Sequence, residues 1–283
     1  MSQPALTSSD DVKGPSESSA SPLHVLVTGY GPFSTYEQNP SWLAVKPLHH
    51  LTLHTVDASE RPIRITALEV PVTYTDVLAL TPSFHARPPV LPEPNDPAFA
   101  PSEMPASGFD FILHVGVAGP GPMRVERRGR KVGYDKPDAQ GKLCPIASAD
   151  ALPSGEGQTD SLLRKLVRGL TGPRDAPVRG FGEGYEDFSE ELFTEVDSER
   201  LIKYLKETGF SQIVPSTDAG LYLCEFINYC SLAEAQRAAS KDGVGQKATP
   251  TLFLHCPPIN QPLPTEEVTG ALEKVVSWVC SQP

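Results

Sequence analysis

Positive charge is scarce in this 283-residue chain: 24 Lys and Arg stand against 35 Asp and Glu, a formal net charge of -11. Nucleic acid and anionic membrane both demand clustered Lys and Arg, so neither is expected as a partner. The one basic cluster, 124–131, holds five basic residues within an acidic chain and reads as a solvated loop edge. Cysteine is sparse as well. Five residues, an odd number, with no short paired spacing of the CxxC type suggest neither a zinc site nor a disulfide scaffold, and fit a reducing compartment. No run approaches the roughly 18–20 apolar residues needed to span a bilayer. No basic segment followed by an apolar stretch opens the chain, so no secretory signal is expected and the protein is read as soluble and cytoplasmic.

What is present is a chain long enough to bury a proper core without covalent staples. Residues 1–22 are rich in Ser, Pro and Asp and bury too little to order, so they read as a disordered tail. From Leu23 onward strand and helix signals alternate. Residues 24–28 form an apolar strand closed by the turn chemistry of Gly29-Tyr30-Gly31-Pro32-Phe33. Ser41 is a plausible N-cap for a helix beginning at Trp42. A strand at 64–72, a helix from Tyr74, and a continuous apolar run at 109–117 follow, the last typical of a strand buried on both faces. Asp197 or Ser198 can cap a helix that Gly209 stops. Short strands fall at 212–215 and 251–255, and an amphipathic helix at 265–280 carries the stripe Val268, Leu272, Val275, Val276 and Val279. This rhythm predicts one α/β domain over 23–283 with helices on both faces of a sheet. Three stretches break it and read as surface insertions: 87–107, 134–184 (with a helix near 160–170) and 234–249.

Two segments carry chemistry. Asp218-Ala219-Gly220-Leu221-Tyr222-Leu223-Cys224-Glu225-Phe226 places a cysteine just inside a helix that follows a strand and a turn. Phe253-Leu254-His255-Cys256-Pro257-Pro258 places a histidine at a strand end. An imidazole and the positive end of a helix dipole are two ways to convert a thiol to a nucleophilic thiolate. Cys256 adjoins His255, but strand alternation points it to the other face. Cys230 and Cys280 read as packing or surface residues, Cys144 as a loop thiol, and His114 as a satisfied core histidine.

Three separated stretches, taken together, resemble pyroglutamyl peptidase type I, a family of intracellular cysteine peptidases. They are Val27-Thr28-Gly29-Tyr30-Gly31-Pro32-Phe33 with Asn39-Pro40-Ser41-Trp42, then His114-Val115-Gly116-Val117-Ala118-Gly119 with Val125-Glu126-Arg127 and Gly133-Tyr134, and the cysteine and histidine segments. The likeness runs in order from Leu23 to Pro283 and is closest to animal-type members. Departures lie around the pocket: Ser34-Thr35 replace the bacterial Gly-Gly, Tyr30 replaces a phenylalanine, and Val117 stands where many bacterial members have Gln.

The resemblance implies a three-layer α/β/α domain with a mixed, mostly parallel sheet, of the phosphorylase/hydrolase-like kind. It implies removal of an N-terminal pyroglutamyl (5-oxoprolyl) residue from small peptides through a thioacyl-enzyme intermediate, with no cofactor and no metal. Cys224 is then the nucleophile, His255 the general base and acid, and Glu126 the group that orients the imidazole. A neutral lactam ring suits aromatic packing and backbone hydrogen bonds, which selects Phe33 and Tyr30 as ring walls, the backbone of Gly116, Val117 and Ala118 as lactam partners, and Asn39 as a brace. Two other readings compete. A catalytically silent binding protein on the same scaffold is suggested by the altered loop and the insertions. A nucleoside phosphorylase-type enzyme would need a Gly-rich phosphate loop or a matched arginine pair, and neither is present. The oligomeric state is left open.

Overall fold

A computed structural model describes residues 21–94, 96–101, 103–147, 177–241 and 247–283. The tail at 1–20 and the helix expected near 160–170 lie outside the described residues.

Nine strands are described: β1 (Leu23–Tyr30), β2 (Thr52–His54), β3 (Pro62–Val70), β4 (Phe111–Val117), β5 (Met123–Glu126), β6 (Arg128–Arg130), β7 (Glu191–Phe193), β8 (Ile213–Ser216) and β9 (Thr251–Cys256). Five α-helices accompany them: α1 (Pro40–Val45), α2 (Tyr74–Phe84), α3 (Ser198–Glu207), α4 (Leu223–Lys241) and α5 (Thr265–Val279). Seven strands make one sheet in the order β2-β3-β1-β4-β9-β5-β8, and β6 pairs with β7 in a separate ribbon. β3, β1, β4 and β9 run parallel. β2 opposes β3, and β5 opposes β9 while running parallel to β8. The sheet is therefore mixed and mostly parallel, as expected.

Period-2 alternation divides the strand side chains between two layers. Val25 and Val27, Phe111, Leu113 and Val115, Met123 and Val125, and Leu252 and Leu254 join residues of α1, α3 and α5 in one aliphatic core. Leu26 and Tyr30, Ile112, and Phe253 face the other way, into an aromatic core with residues of α2 and α4. The predicted stripe of α5 is buried in full. Helices thus cover both faces.

Several local readings are corrected. α1 is capped by Asn39, whose side chain accepts from the Ser41 N–H at 3.1 Å, with Pro40 at the first helical position where its missing N–H costs nothing. Segment 124–131 is no solvated loop edge: it forms β5 and β6, Lys131 is buried with its ammonium donating to the Glu186 and Phe188 carbonyls, and Arg128 and Arg130 pair with Glu191 and Glu225. The stretch from Tyr134 is more than a surface excursion, since Tyr134, Cys144 and Phe181 are fully buried in the aromatic core. The stretch from Glu234 is the second half of α4, which runs to Lys241 with Glu234 buried against Tyr185 and Arg237.

Candidate active site

The same alternation that builds the aliphatic core aims Thr28, His114, Gly116, Phe253, His255 and Glu126 toward the α2–α4 side. Gly116 lies beside His255 in the β4–β9 register, and Glu126 lies beside Phe253 in the β5–β9 register. Glu126 is therefore two places along from His255, a diagonal that a glutamate side chain spans. The result is a hydrogen bond of 2.8 Å between His255 Nδ1 and Glu126 Oε1, both residues being buried. The second carboxylate oxygen of Glu126 has no hydrogen-bond partner among the described residues.

Cys224 reaches this pair from the opposite direction. β8 ends beside Glu126, the chain turns through 217–222, and Cys224 is the second residue of α4. A Cβ built on Gly116 would lie 2.7 Å from Cys224 Sγ and 2.8 Å from Phe253 Cζ. Only a residue without a Cβ leaves room for the sulfur at this point of β4. Burial pushes the His255 imidazole down. The charge and hydrogen bond of Cys224, followed by the hydrogen bond and charge of Glu126, outweigh that and raise it to about 9. The other four thiols are all pushed up to about 12, in each case chiefly by burial. An anion on any of them is disfavoured, and Cys256 sits in the aliphatic core on the far side of the sheet.

The turn before Cys224 is held in a defined shape. The Asp218 N–H donates to Ser216 Oγ, the Gly220 N–H to Asp218 Oδ1, and the Leu221 N–H to Glu225 Oε2 at 2.8 Å. Leu221 is in the left-handed region at φ 47°, a conformation that costs a side-chain-bearing residue roughly 1–3 kcal/mol. It persists because the surrounding bonds over-determine it. The first-turn N–H groups of α4 have no intrahelical acceptor and point out of the helix end. They form a ready donor set for a developing oxyanion beside Cys224.

The residues expected to hold substrate separate into two groups. Phe33 lines a cavity of about 880 Å³ formed by 32–37, 136–139 and Tyr222, its ring 5.6 Å from that of Tyr222. Tyr30 is buried, and its hydroxyl donates to the Leu223 carbonyl at 2.6 Å, bracing the residue before the cysteine instead of facing the cavity. Asn39 caps α1 and donates to the Gly31 carbonyl at 3.1 Å, so it braces the loop. Val117 packs against the aliphatic core, and the Ala118 N–H is already donated to the Cys256 carbonyl at 2.9 Å. The backbone carbonyls of Gly116, Val117 and Ala118 remain proposed lactam partners. His114 bonds Thr28 Oγ1 through Nδ1 at 2.8 Å, its Nε2 is without a partner among the described residues, and burial drives it down to about 3.

Tyr222, Phe253 and the Arg130–Glu225 pair belong to the site and were not singled out from sequence. Tyr222 had a legible signal, an aromatic two places before Cys224. Phe253, 4.9 Å from the His255 ring, reads as ordinary strand core, and Arg130 and Glu225 lie 95 positions apart.

No family model matches the chain. Among curated proteins it is 27% identical over 255 residues to pyroglutamyl-peptidase 1 of Mus musculus, an alignment covering 89% of this chain and 87% of that protein. The Homo sapiens protein of the same name is 26% identical over the same length. Among solved structures, pyroglutamyl peptidase I of Bacillus amyloliquefaciens superposes with a TM-score of 0.59 at 21% identity, covering 92% of this chain and 98% of that one. A mutant pyrrolidone carboxyl peptidase from the hyperthermophile Pyrococcus furiosus gives 0.56 at 18% identity, covering 90% and 96%. The chain is thus similar in sequence, along nearly its whole length, to the curated pyroglutamyl-peptidases 1, and it shares the fold of the solved pyroglutamyl peptidase I structures.

Proposed function

We propose that this chain is a cysteine peptidase that removes N-terminal pyroglutamyl residues from peptides, with Cys224, His255 and Glu126 as its catalytic groups. The observation that carries the assignment is one imidazole held by a buried carboxylate on Nδ1 while its charge state responds to the Cys224 sulfur. In the reaction, His255 takes the thiol proton and Cys224 Sγ attacks the pyroglutamyl carbonyl. The oxyanion forms beside the N–H groups of the first turn of α4, and His255 passes its proton to the departing amine as the C–N bond breaks. Water, deprotonated by His255, then cleaves the thioester and regenerates the thiol. Glu126 fixes the ring orientation and favours the imidazolium through both proton transfers.

The Phe33–Tyr222 cavity supports the substrate class. The rings of Phe33, Tyr36 and Tyr222 in its lining suit packing against a flat lactam, beside the charged Glu37, Lys136 and Asp138. Five free thiols fit a reducing compartment such as the cytoplasm. No helix among the described residues is long and apolar enough to cross a membrane. The test is hydrolysis of fluorogenic pyroglutamyl and glutamyl amides by wild type and Cys224→Ala. Turnover of the pyroglutamyl amide alone, lost in the variant, is expected. Equal rates on both amides, or a fully active Cys224→Ala, overturns the proposal.

A further inference from the structure

Next to the nucleophile stands a carboxylate that the reaction above does not use. Glu225 is fully buried, yet none of its polar atoms is idle. Oε1 accepts from the Arg130 backbone N–H at 3.2 Å and from Arg130 Nε at 2.5 Å. Oε2 accepts from an Arg130 terminal nitrogen at 2.7 Å and from the Leu221 N–H at 2.8 Å. The same arginine nitrogen also bonds Asp218, whose Oδ1 holds the Gly220 N–H. One guanidinium and one carboxylate thus tie both ends of the turn 218–221, which contains the left-handed Leu221.

The placement of the pair joins the two halves of the site. Arg130 ends β6, four residues beyond Glu126, while Glu225 follows Cys224 directly. β6 lies so close to α4 that a Cβ on Gly129 would meet the Tyr229 backbone at 2.8 Å, and Asn228 donates to the Arg128 carbonyl at 3.0 Å. β5 and β8 already pair beside Glu126 and Ser216, but Cys224 lies eight residues beyond Ser216, across the turn. Among the contacts that join β6 to α4, the Arg130–Glu225 bracket is the one that also holds that turn.

We infer that Glu225 and Arg130 are positioning residues for the proposed reaction, holding the turn before Cys224 so that its sulfur and the α4 N–H groups stay aligned with His255 and Glu126. A buried ion pair is weak evidence of stabilisation, because desolvation offsets much of its attraction, so its presence beside a nucleophile calls for another reason. Alignment supplies one, since a displacement of about 1 Å at reacting atoms can cost on the order of 100-fold in rate.

The test compares Glu225→Gln with Glu234→Gln. Glu234 is also buried on α4 and also paired, with Tyr185 and Arg237, but lies well along the helix from Cys224. Glu225→Gln is expected to lower kcat for a pyroglutamyl amide about 10- to 100-fold with KM within about threefold. It should also slow alkylation of Cys224 by iodoacetamide and lower the His255 titration seen by NMR. Glu234→Gln should lower Tm while leaving all three readouts in place. Unchanged kcat, alkylation and titration in Glu225→Gln, or equal loss in both variants, overturns the inference. If Glu225→Gln does not fold, Arg130→Lys and Asp218→Asn decide: a measurable fall in the alkylation rate supports the bracket, and wild-type rates refute it. The inference rests on the proposed reaction, but alkylation and titration read Cys224 and His255 without any substrate, so a wrong substrate assignment would not be mistaken for a failed bracket.

Discussion

The two faces of the sheet are built from the same strands and differ in almost everything else. One face buries Val, Leu, Ile and Ala of β1, β3, β4, β5 and β9 against α1, α3 and α5. The other buries Tyr74, Tyr134, Phe181, Phe226 and Tyr229 together with Glu126, His114, His255, Glu225 and Glu234. Aliphatic packing needs only shape and tolerates exchange of one apolar residue for another. Buried polar groups each need a matched partner, and leaving one unmatched costs more than the bond contributes. The aliphatic face is therefore specified in character alone, whereas the site face is fixed atom by atom. Two histidines on that face show how finely. His114 and His255 are both buried on adjacent parallel strands, yet burial drives the first down to about 3 while Cys224 and Glu126 lift the second to about 9. The neighbouring side chains, not depth, decide which one carries a proton.

The largest effects should come from removing what separates these histidines. In Cys224→Ala, His255 loses the largest of its raising contributions and is left with burial opposed by Glu126 alone, so its NMR titration should fall well below 9 while His114 stays neutral. Glu126→Gln should lower it less, because the glutamate contributions are the smaller ones, and should cost about 10²- to 10⁴-fold in kcat/KM. The sign of the pH dependence follows. A raised imidazole keeps its proton through neutrality and releases it as pH passes about 9, so wild-type kcat/KM should decline on an alkaline limb near that value. In Glu126→Gln the limb should move toward lower pH. A limb unmoved by Glu126→Gln would detach the carboxylate from the imidazole.

A smaller loss is expected where the site face is merely crowded. In Gly116→Ala the new methyl would overlap Cys224 Sγ and Phe253 Cζ, and the short cysteine side chain is the easier of the two to displace. We expect kcat/KM to fall about 10- to 100-fold with Tm lowered only modestly, measured by steady-state kinetics and thermal melts. Wild-type kinetics in Gly116→Ala would mean that the sulfur occupies another rotamer during catalysis.

Legibility in the sequence divides along the same line. β1, β4, β9 and α5 were readable because a strand buried on both faces and an amphipathic helix leave continuous or periodic apolar patterns. β5 and β6 were hidden because Arg124, Arg127, Arg128 and Arg130 mask two short strands, and their partners Glu191 and Glu225 are 63 and 95 positions away. The second half of α4 was lost for a related reason. Glu234 and Arg237 look solvated until Tyr185, nearly fifty positions upstream, is brought beside them. Cys224 and His255 stood out through chemistry. The likeness to a family, not any pattern in the residues alone, pointed to Glu126. Tyr30 and Asn39 were singled out as substrate contacts, but their bonds go to the Leu223 and Gly31 carbonyls, and no local pattern encodes which carbonyl lies opposite.

The smallest expected effect on catalysis is the sharpest check on the comparison. Leu272, fully buried in the stripe of α5, belongs to the aliphatic layer. Truncation to alanine removes buried methyl groups and leaves a cavity, a change that typically costs about 2–5 kcal/mol. For a domain of this size that corresponds to a fall in Tm of roughly 5–15 °C. The His255–Glu126 bond and the Cys224 sulfur lie across the sheet, and close-packed interiors relax only locally around such a cavity. Leu272→Ala should therefore keep kcat/KM within about twofold of wild type at 25 °C, with the His255 titration in place. A tenfold loss of activity in protein shown to be folded at that temperature would mean that the sheet transmits strain between its faces, and the division between a forgiving layer and an exacting one would have to be abandoned.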